Sequence, residues 1–282
     1  MFSFLYLNII RPIFFQFNPE KVHDLILFAG KILGSNLITR KLISLIFNYQ
    51  NTKLNQTIEG ISFHNPVGLS AGFDKNADIV NILPSVSFGF TQVGTVTLNP
   101  YKGNPHPWLT RLKKSKGILV YYGLKNIGVD KIIHKLNKRK ANDFPISLSI
   151  GKTNHEYTAS EEAGIKDYCD CTQKVLESGQ ADMITINISC PNTFGGEPFT
   201  TPEKLDRLLQ KMSELKYNVP VFIKMPLTQD YPELSSLLEV ADNYEFIKGV
   251  VIANLLKQRD ESLVHPSDLI KIKDLKGGIS GL

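Results

Sequence analysis

Residues 183–196 read MITINISCPNTFGG, and the fold turns on this stretch. The β-branched run 183–188 predicts an apolar strand, which Pro191, Gly195 and Gly196 bring to an abrupt stop. Asn187, Ser189, Cys190, Asn192 and Thr193 therefore gather at its carboxyl end. In α/β enzymes that end carries the chemistry. Cys190 is the reactive group of the cluster: a thiol with a reference pKa of about 8.5 needs only a modest shift to take up a proton near neutral pH. The flanking amides suit a planar polar ligand. The plain alternative is a thiol packed inertly at the end of a buried strand.

Working outward, short apolar β-runs alternate with helical stretches from residue 61 onward, the pattern of βαβ units and a parallel sheet. Strands are expected at 67–71, 91–96, 146–150, 183–188, 219–225 and 247–253. A helix is expected at 201–215, where Pro202 and Glu203 suit a first turn. About six strands are legible where a closed (β/α)8 barrel needs eight. The expected fold is thus α/β, a (β/α)8 TIM barrel that is C-terminally incomplete, preceded by an N-terminal helical arm. The domains expected are an arm at 1–45 and a barrel at 46–282 that stops before its last two strands. Parallel strands need cover on both faces, which favours a fragment of a longer chain over a shortened barrel with open edges.

The arm begins MFSFLYLNIIRPIFFQF, two aromatic-rich apolar runs split by Arg11-Pro12. Neither approaches the roughly 20 apolar residues that span a bilayer, and no signal-peptide cleavage site follows. Asn18-Pro19-Glu20 starts a helix whose Val22, Leu25, Ile26, Phe28, Ala29, Ile32 and Leu33 share one face. That face suits either the protein core or a membrane surface. Phe2, Phe4, Tyr6, Phe14, Phe15 and Phe17 tilt the balance to the membrane, because so many aromatics are costly to leave in water.

The 282 residues are 42% hydrophobic and 21% charged, which is ordinary for a globular protein and argues against disorder. The net charge of +5 is scattered, densest at 135–140, so it reads as solvated helix faces with mild attraction to anionic lipid and little support for nucleic-acid binding. Cys169, Cys171 and Cys190 have no metal-like spacing and suggest a reducing compartment. The six histidines also lack ligand spacing, so no metal is expected. His23 suits either a passage lining or a plain hydrogen bond.

Three loops add candidate chemistry. In 68–76, GLSAGFDKN, small residues let a planar cofactor approach the backbone and Lys75 supplies a fixed positive charge. Gly94-Thr95-Val96-Thr97 adds a hydroxyl. The run 277–281, GGISG, suits a backbone nest for an anion or cofactor, or else a flexible terminus.

Together the segments NPVGLSAGFDKN, FGFTQVGTVTLNPYKGNP, NISCPNT, FIKM, GVVIAN and GGISG stand in the order and spacing of the dihydroorotate dehydrogenases, which this chain resembles. FQFNPEKVHDL resembles the arm of that family's membrane-associated, quinone-using class. The resemblance implies a barrel that binds FMN, oxidises dihydroorotate to orotate in pyrimidine (UMP) synthesis and passes electrons to a quinone. It implies a peripheral position on the cytoplasmic side of the inner membrane. Carried over position by position, it places Ala71, Gly72, Phe73, Asp74, Lys75, Thr95, Ser149, Asn187, Lys224, Ala253, Ser280 and Gly281 near the cofactor. It places Lys75, Lys125, Asn126, Ile127, Gly128, Val129, Asn187, Asn192, Asn254 and Leu255 around the substrate. Cys190 falls at the base position, where the quinone-using class has serine and the soluble class cysteine. In the implied reaction the Cys190 thiolate removes a proton beside the substrate carbonyl, hydride passes to the flavin, and Lys224 stabilises negative charge on the reduced ring.

The chain departs from the family pattern at several positions. Lys125 and Ser149 stand for asparagines, Ala253 and Leu255 for threonines, and Trp108 for a common arginine. The family's flavin-phosphate loops follow its last two strands, beyond the segments matched here. These departures leave two alternatives: a related flavin oxidoreductase acting on another cyclic amide, or a barrel remnant without catalysis.

Overall fold

The structure, a computed structural model, describes residues 2–140, 143–194, 196, 199–227, 231–257, 259 and 261–281. Gly195 and the side chain of Phe2, both used above, lie outside the described residues.

The arm comprises α1 (Phe2–Leu5), a π-helical turn (Tyr6–Ile10), α2 (Arg11–Phe14), α3 (Pro19–Ser35) and α4 (Leu37–Phe47). Asn18 caps α3 by accepting from the Glu20 and Lys21 amides, with Pro19 in the first turn. Asn36, which ends α3, also caps α4 through the Ile38 amide at 2.7 Å. The boundary expected at 45 falls inside α4, which continues to Phe47.

A short antiparallel hairpin of β1 (Gln56–Ile58) and β2 (Ile61–Phe63) leads to a parallel sheet. That sheet holds β3 (Gly68–Leu69), β4 (Phe90–Val96), β7 (Ile146–Ile150), β8 (Met183–Asn187), β9 (Val221–Lys224) and β10 (Ile247–Val251), side by side in that order. These are the six expected strands: β7 is as expected, β4 begins one residue earlier, and the other four are trimmed at one or both ends. Helices α5 (Val129–Leu136), α6 (Glu161–Ser178), α7 (Pro202–Met212) and α8 (Tyr231–Asp242) connect them. Among the described residues β3 and β10 do not pair, so the sheet is open.

The period of two sorts side chains sharply between the sheet's faces. Val93, Leu148, Ile150, Ile184, Ile186, Val221 and Ile223 are fully buried in the main apolar core with Leu205, Leu208 and Leu209 of α7. Alternate positions carry polar groups: Gln92, Ser147 and Thr185, in which Gln92 Nε2 donates to Thr185 Oγ1 at 2.7 Å. Two residues further along β7 and β8 come Ser149 and Asn187, and three further along β4, at a register shift between Gly94 and Val96, comes Thr95. The strands thus read as apolar toward the helices and polar toward the axis, and the polar file ends at the mouth.

A second, antiparallel sheet lies across that mouth. Its strands are β5 (Leu109–Leu112), β6 (Gly117–Val120) and β11 (Gly278–Ser280), with β6 in the centre. Leu112, Leu119 and Ile279 form a small core with Val264 and with Ile272 of α9 (Pro266–Ile272). The GGISG run is therefore mostly strand rather than an open nest: Gly278 and Ile279 are buried in the pairing, and only its end faces the mouth. The local sequence signals loop because the strand's partner, β6, lies more than 150 residues away.

Candidate functional site

Four strand ends are tied into one polar network. Asn187 Nδ2 donates to Thr95 Oγ1 at 2.7 Å, and Thr95 Oγ1 lies 2.9 Å from Ser149 Oγ. Asn187 Oδ1 accepts from Ser189 Oγ at 2.9 Å, and Asn254 Nδ2 donates to the Ser189 carbonyl at 2.7 Å. Tyr168 OH of α6 donates to the Asn187 carbonyl at 2.8 Å. All but Asn254 are buried, so these groups satisfy one another and their positions are fixed before any ligand arrives.

Above this network a cavity of about 670 Å³ runs from the strand ends to the arm. Cys190, Asn187, Asn192, Lys224, Lys75, Thr95 and Asn254 line its inner end; Tyr6, Phe15, Val22, His23 and Ile26 line its outer end. Burial pushes the Lys224 ammonium below its ordinary range, an effect partly opposed by the Cys190 sulfur. Lys75 is only 9% exposed; burial, reinforced by the charge of Lys125, lowers it to about 8. Its ammonium rests 3.8 Å from the centroid of the Tyr122 ring, while that of Lys125 rests 3.7 Å from the Trp108 ring.

The arm is held to this mouth by specific contacts. Glu20 accepts from the Trp108 amide at 2.6 Å and the Leu109 amide at 3.2 Å, and pairs with His106 Nδ1 at 2.8 Å. Arg111 donates to the Phe17 carbonyl at 2.6 Å and lies over the Phe15 ring. His23 lines the cavity and donates through Nε2 to the Phe73 carbonyl at 2.8 Å; its buried Nδ1 has no hydrogen-bond partner among the described residues. Burial and then Lys75 lower the His23 pKa, so the neutral ring is favoured.

The expected site residues divide into two groups. Ala71, Gly72, Phe73, Lys75, Thr95, Lys125, Asn187, Cys190, Asn192, Lys224, Asn254, Leu255, Ser280 and Gly281 line the cavity together. Asp74, Asn126, Ile127, Gly128, Val129, Ser149 and Ala253 do not. The Asp74 carboxylate is used by the Asp78 and Ile79 amides at 2.8 and 2.9 Å. Asn126 is buried as a loop brace, donating to Thr97 Oγ1 at 2.7 Å and accepting from the Gly128 amide at 2.8 Å. The Ile127 amide donates to Asn76 Oδ1, and Gly128 and Val129 cap and begin α5. Ser149 supports Thr95 from beneath.

Sequence reasoning missed the braces of the Cys190 loop. Asn104 Nδ2 donates to the Asn192 carbonyl at 2.9 Å, and Asn154 Oδ1 accepts from the Phe194 amide at 2.6 Å. Both lie in loops distant in sequence, Asn104 inside the family-like run 88–105 and Asn154 outside every such run, and only their hydrogen bonds in the structure show what they hold.

A parallel sheet with helical crossovers and a polar site at the carboxyl ends of its strands defines an enzyme of the (β/α) barrel class. The family model for dihydroorotate dehydrogenase matches residues 53–282. The dihydroorotate dehydrogenase (quinone) of Synechococcus sp. (strain JA-3-3Ab) is 33% identical over 284 residues, which cover 98% of this chain and 74% of that protein. That of Aliivibrio fischeri (strain MJ11) is 35% identical over 285 residues, covering 97% and 79% respectively. Among solved structures, a ligand-free DHODH from Eimeria tenella superposes with a TM-score of 0.78 at 26% identity, over 94% of this chain and 75% of that one. The chain belongs to the dihydroorotate dehydrogenase family.

Proposed function

We propose that the protein oxidises dihydroorotate to orotate in pyrimidine biosynthesis, with a bound flavin as hydride acceptor and a quinone as final electron acceptor. The observation that carries this reading is the single cavity that joins Cys190, Lys75, Asn187 and Lys224 to the apolar arm. One chamber gives a polar ring substrate and an apolar acceptor access to the same cofactor.

The residues fit a flavin ring, and FMN is the flavin proposed. At Gly72, where φ is +101°, an added Cβ would meet nothing within 4 Å, so the backbone leaves open space beside the cavity. Thr95, Asn187, Lys75 and Lys224 supply hydrogen-bonding groups for the edges of a planar heterocycle, with Lys224 placed to stabilise negative charge. Bound flavin supplies the two-electron redox capacity. Cys190, as thiolate, takes the proton from the carbon beside the substrate carbonyl. Asn187, Asn192 and Asn254 hold the ring amides, and Lys75 pairs with the carboxylate.

Two functional units follow: the arm, expected at 1–45 and closing with α4 at Phe47, and the flavin-binding barrel, expected at 46–282, which begins after it. Among the described residues no helix is long and apolar enough to cross a membrane. Yet Phe4, Phe17, Phe28, Ile38 and Leu45 stand exposed along the arm. An interfacial arm lying on the cytoplasmic face of the inner membrane accounts for them and delivers quinone to the outer end of the cavity.

The test is anaerobic mixing of the flavin-loaded protein with dihydroorotate. Loss of the oxidised flavin's visible absorbance is expected, and recovery on adding a short-chain quinone. A flavin that dithionite bleaches and dihydroorotate leaves untouched would overturn the reading.

A further inference from the structure

The segment that follows β7, residues 151–154, reads Gly-Lys-Thr-Asn and carries a lysine that the reaction above leaves unused. Lys152 is 3% exposed, and its ammonium reaches the Cys190 loop rather than solvent. Nζ donates to the Phe194 carbonyl at 3.0 Å and to the Thr158 carbonyl at 3.1 Å. Two residues on, Asn154 Oδ1 accepts from the Phe194 amide at 2.6 Å, and Asn154 Nδ2 is fixed by donating to the Gly123 carbonyl at 2.9 Å. Both the N–H and the C=O of Phe194 are therefore held from the end of one barrel strand.

The surroundings are shaped for a lysine. Its stem passes α6 at Gly164, where an added Cβ would lie 3.1 Å from Lys152 Cδ and 3.3 Å from the Phe199 ring. The next turn of α6 supplies Asp167, whose Oδ1 accepts from the Thr153 amide at 2.8 Å. Asp167 is 4% exposed, and its Oδ2 has no hydrogen-bond partner among the described residues. Burial lowers the Lys152 pKa, and the charge of Asp167 opposes that shift. A buried ammonium is costly to desolvate, and a neutral amide, Asn104, holds the neighbouring Asn192 carbonyl without that cost. What the lysine adds is a long stem with three donors at its tip, so that one residue joins two loops. The Phe194 side chain is 49% exposed, so apolar burial does not secure this end of the loop and the main-chain clamp does. From there Thr193 Oγ1 donates to the Cys190 carbonyl at 3.3 Å, which links the clamp to the thiol's own residue.

We propose that Lys152 is a positioning residue for proton removal: by clamping the Phe194 end of the loop, it holds Cys190 at the distance from the substrate that the reaction needs. The proposal rests on the function given above, in which Cys190 is the base. Lys152 does not line the flavin cavity, so it acts only through the loop. Proton transfer is steep in geometry, and a reacting group displaced by about an ångström loses about a hundredfold in rate. Return of electrons from flavin to quinone needs no base and uses the apolar end of the cavity. Loss of the clamp should therefore slow one half of the catalytic cycle and spare the other.

The experiment compares the two half-reactions of the flavin-loaded protein in Lys152→Met, which keeps an unbranched stem and removes the donors. The limiting rate of flavin reduction at saturating dihydroorotate is expected to fall about 10–100-fold. Reoxidation of dithionite-reduced flavin by a short-chain quinone should keep its wild-type rate, which a general loss of structure would not allow. Lys152→Gln, which keeps a donor on a neutral and shorter chain, should reduce flavin at a rate between those of wild type and Lys152→Met. Amide hydrogen exchange reads the loop without turnover: in Lys152→Met, exchange over residues 190–194 should quicken about tenfold while β8 keeps its protection. Should Lys152→Met fail to load flavin, Lys152→Gln carries the same two measurements. An unchanged limiting rate, an equal slowing of both half-reactions, or unchanged exchange in the loop would overturn the clamp. If dihydroorotate fails to reduce wild-type flavin, the functional reading falls and the catalytic role of Lys152 with it, whereas hydrogen exchange still reports whether Lys152 holds the loop.

Discussion

The barrel wall of the flavin cavity and its arm wall are held by different forces. On the barrel side, Thr95, Ser149, Asn187 and Ser189 sit on or just beyond strands whose opposite faces are packed in the apolar core. Each position is set by a main-chain ladder and by a buried hydrogen bond to its neighbour. On the arm side, Leu27, Leu33 and Ile43 reach the core, whereas Phe28 and Leu45 stand 63% and 83% exposed. There the attachment is a handful of tethers, with Glu20, His23 and Arg111 the principal ones. A site that must bring a proton acceptor within bonding distance of a substrate needs the first construction. A surface that admits a flexible apolar acceptor works with the second.

The largest effect should come from the barrel wall. Cys190→Ala is expected to slow flavin reduction by dihydroorotate by about 10²–10⁴-fold, the usual contribution of a general base. Cys190→Ser should retain part of the rate and shift its rise to higher pH. A serine variant with an unchanged pH profile removes the special role of the thiol.

Core truncation separates the two walls by stability. Ile186→Ala deletes fully buried atoms and should cost about 2–5 kcal/mol in denaturant unfolding. Leu45→Ala, on the exposed arm face, should stay within about 0.5 kcal/mol. Comparable losses would mean that the arm is packed as tightly as the barrel. Between these lies Glu20→Ala, which leaves the Trp108 and Leu109 amides unpaired and should cost about 1–3 kcal/mol. That variant should also weaken the dependence of turnover on quinone concentration.

A charged substitution probes the arm's outer face. Phe28→Lys with Leu45→Lys should lower binding to vesicles of neutral lipid by about tenfold, since apolar insertion drives interfacial attachment. Undiminished binding would place the membrane contact elsewhere.

The smallest effect is a pH slope. Lys75 is lowered from its ordinary 10.5 to about 8, so between these values the unfolded chain binds more protons than the folded one. The unliganded protein therefore gains stability as pH rises through that window, and Lys75→Met should flatten the gain. An anionic ligand needs the charged form, so orotate affinity should decline above about pH 8, by up to about tenfold per unit. Isothermal titration in buffers of different ionisation heat would detect the accompanying proton uptake.

Much of this molecule is legible in one dimension, for identifiable reasons. The six barrel strands stand out because a parallel sheet buried on both faces demands β-branched runs closed by turn residues, and Asn18-Pro19-Glu20 announces α3 by its own capping chemistry. The segment order that matches the family also brought fourteen expected residues to one cavity. What one dimension hides is any partner chosen by distance in space. Asp74 and Asn126 have the side chains of ligand contacts, yet Asp74 is spent on the nearby Asp78 and Ile79 amides and Asn126 on the Gly128 amide and, across the fold, on Thr97 Oγ1. The 277–281 glycine run has no strand character until β6 pairs with it. Asn104 and Asn154 acquire a role only because the fold brings their loops against the Cys190 loop. Local sequence determines which elements form, because periodicity and capping act within a few residues. Which polar groups meet is decided by closure of the tertiary structure, because a buried hydrogen bond depends on where the chain returns.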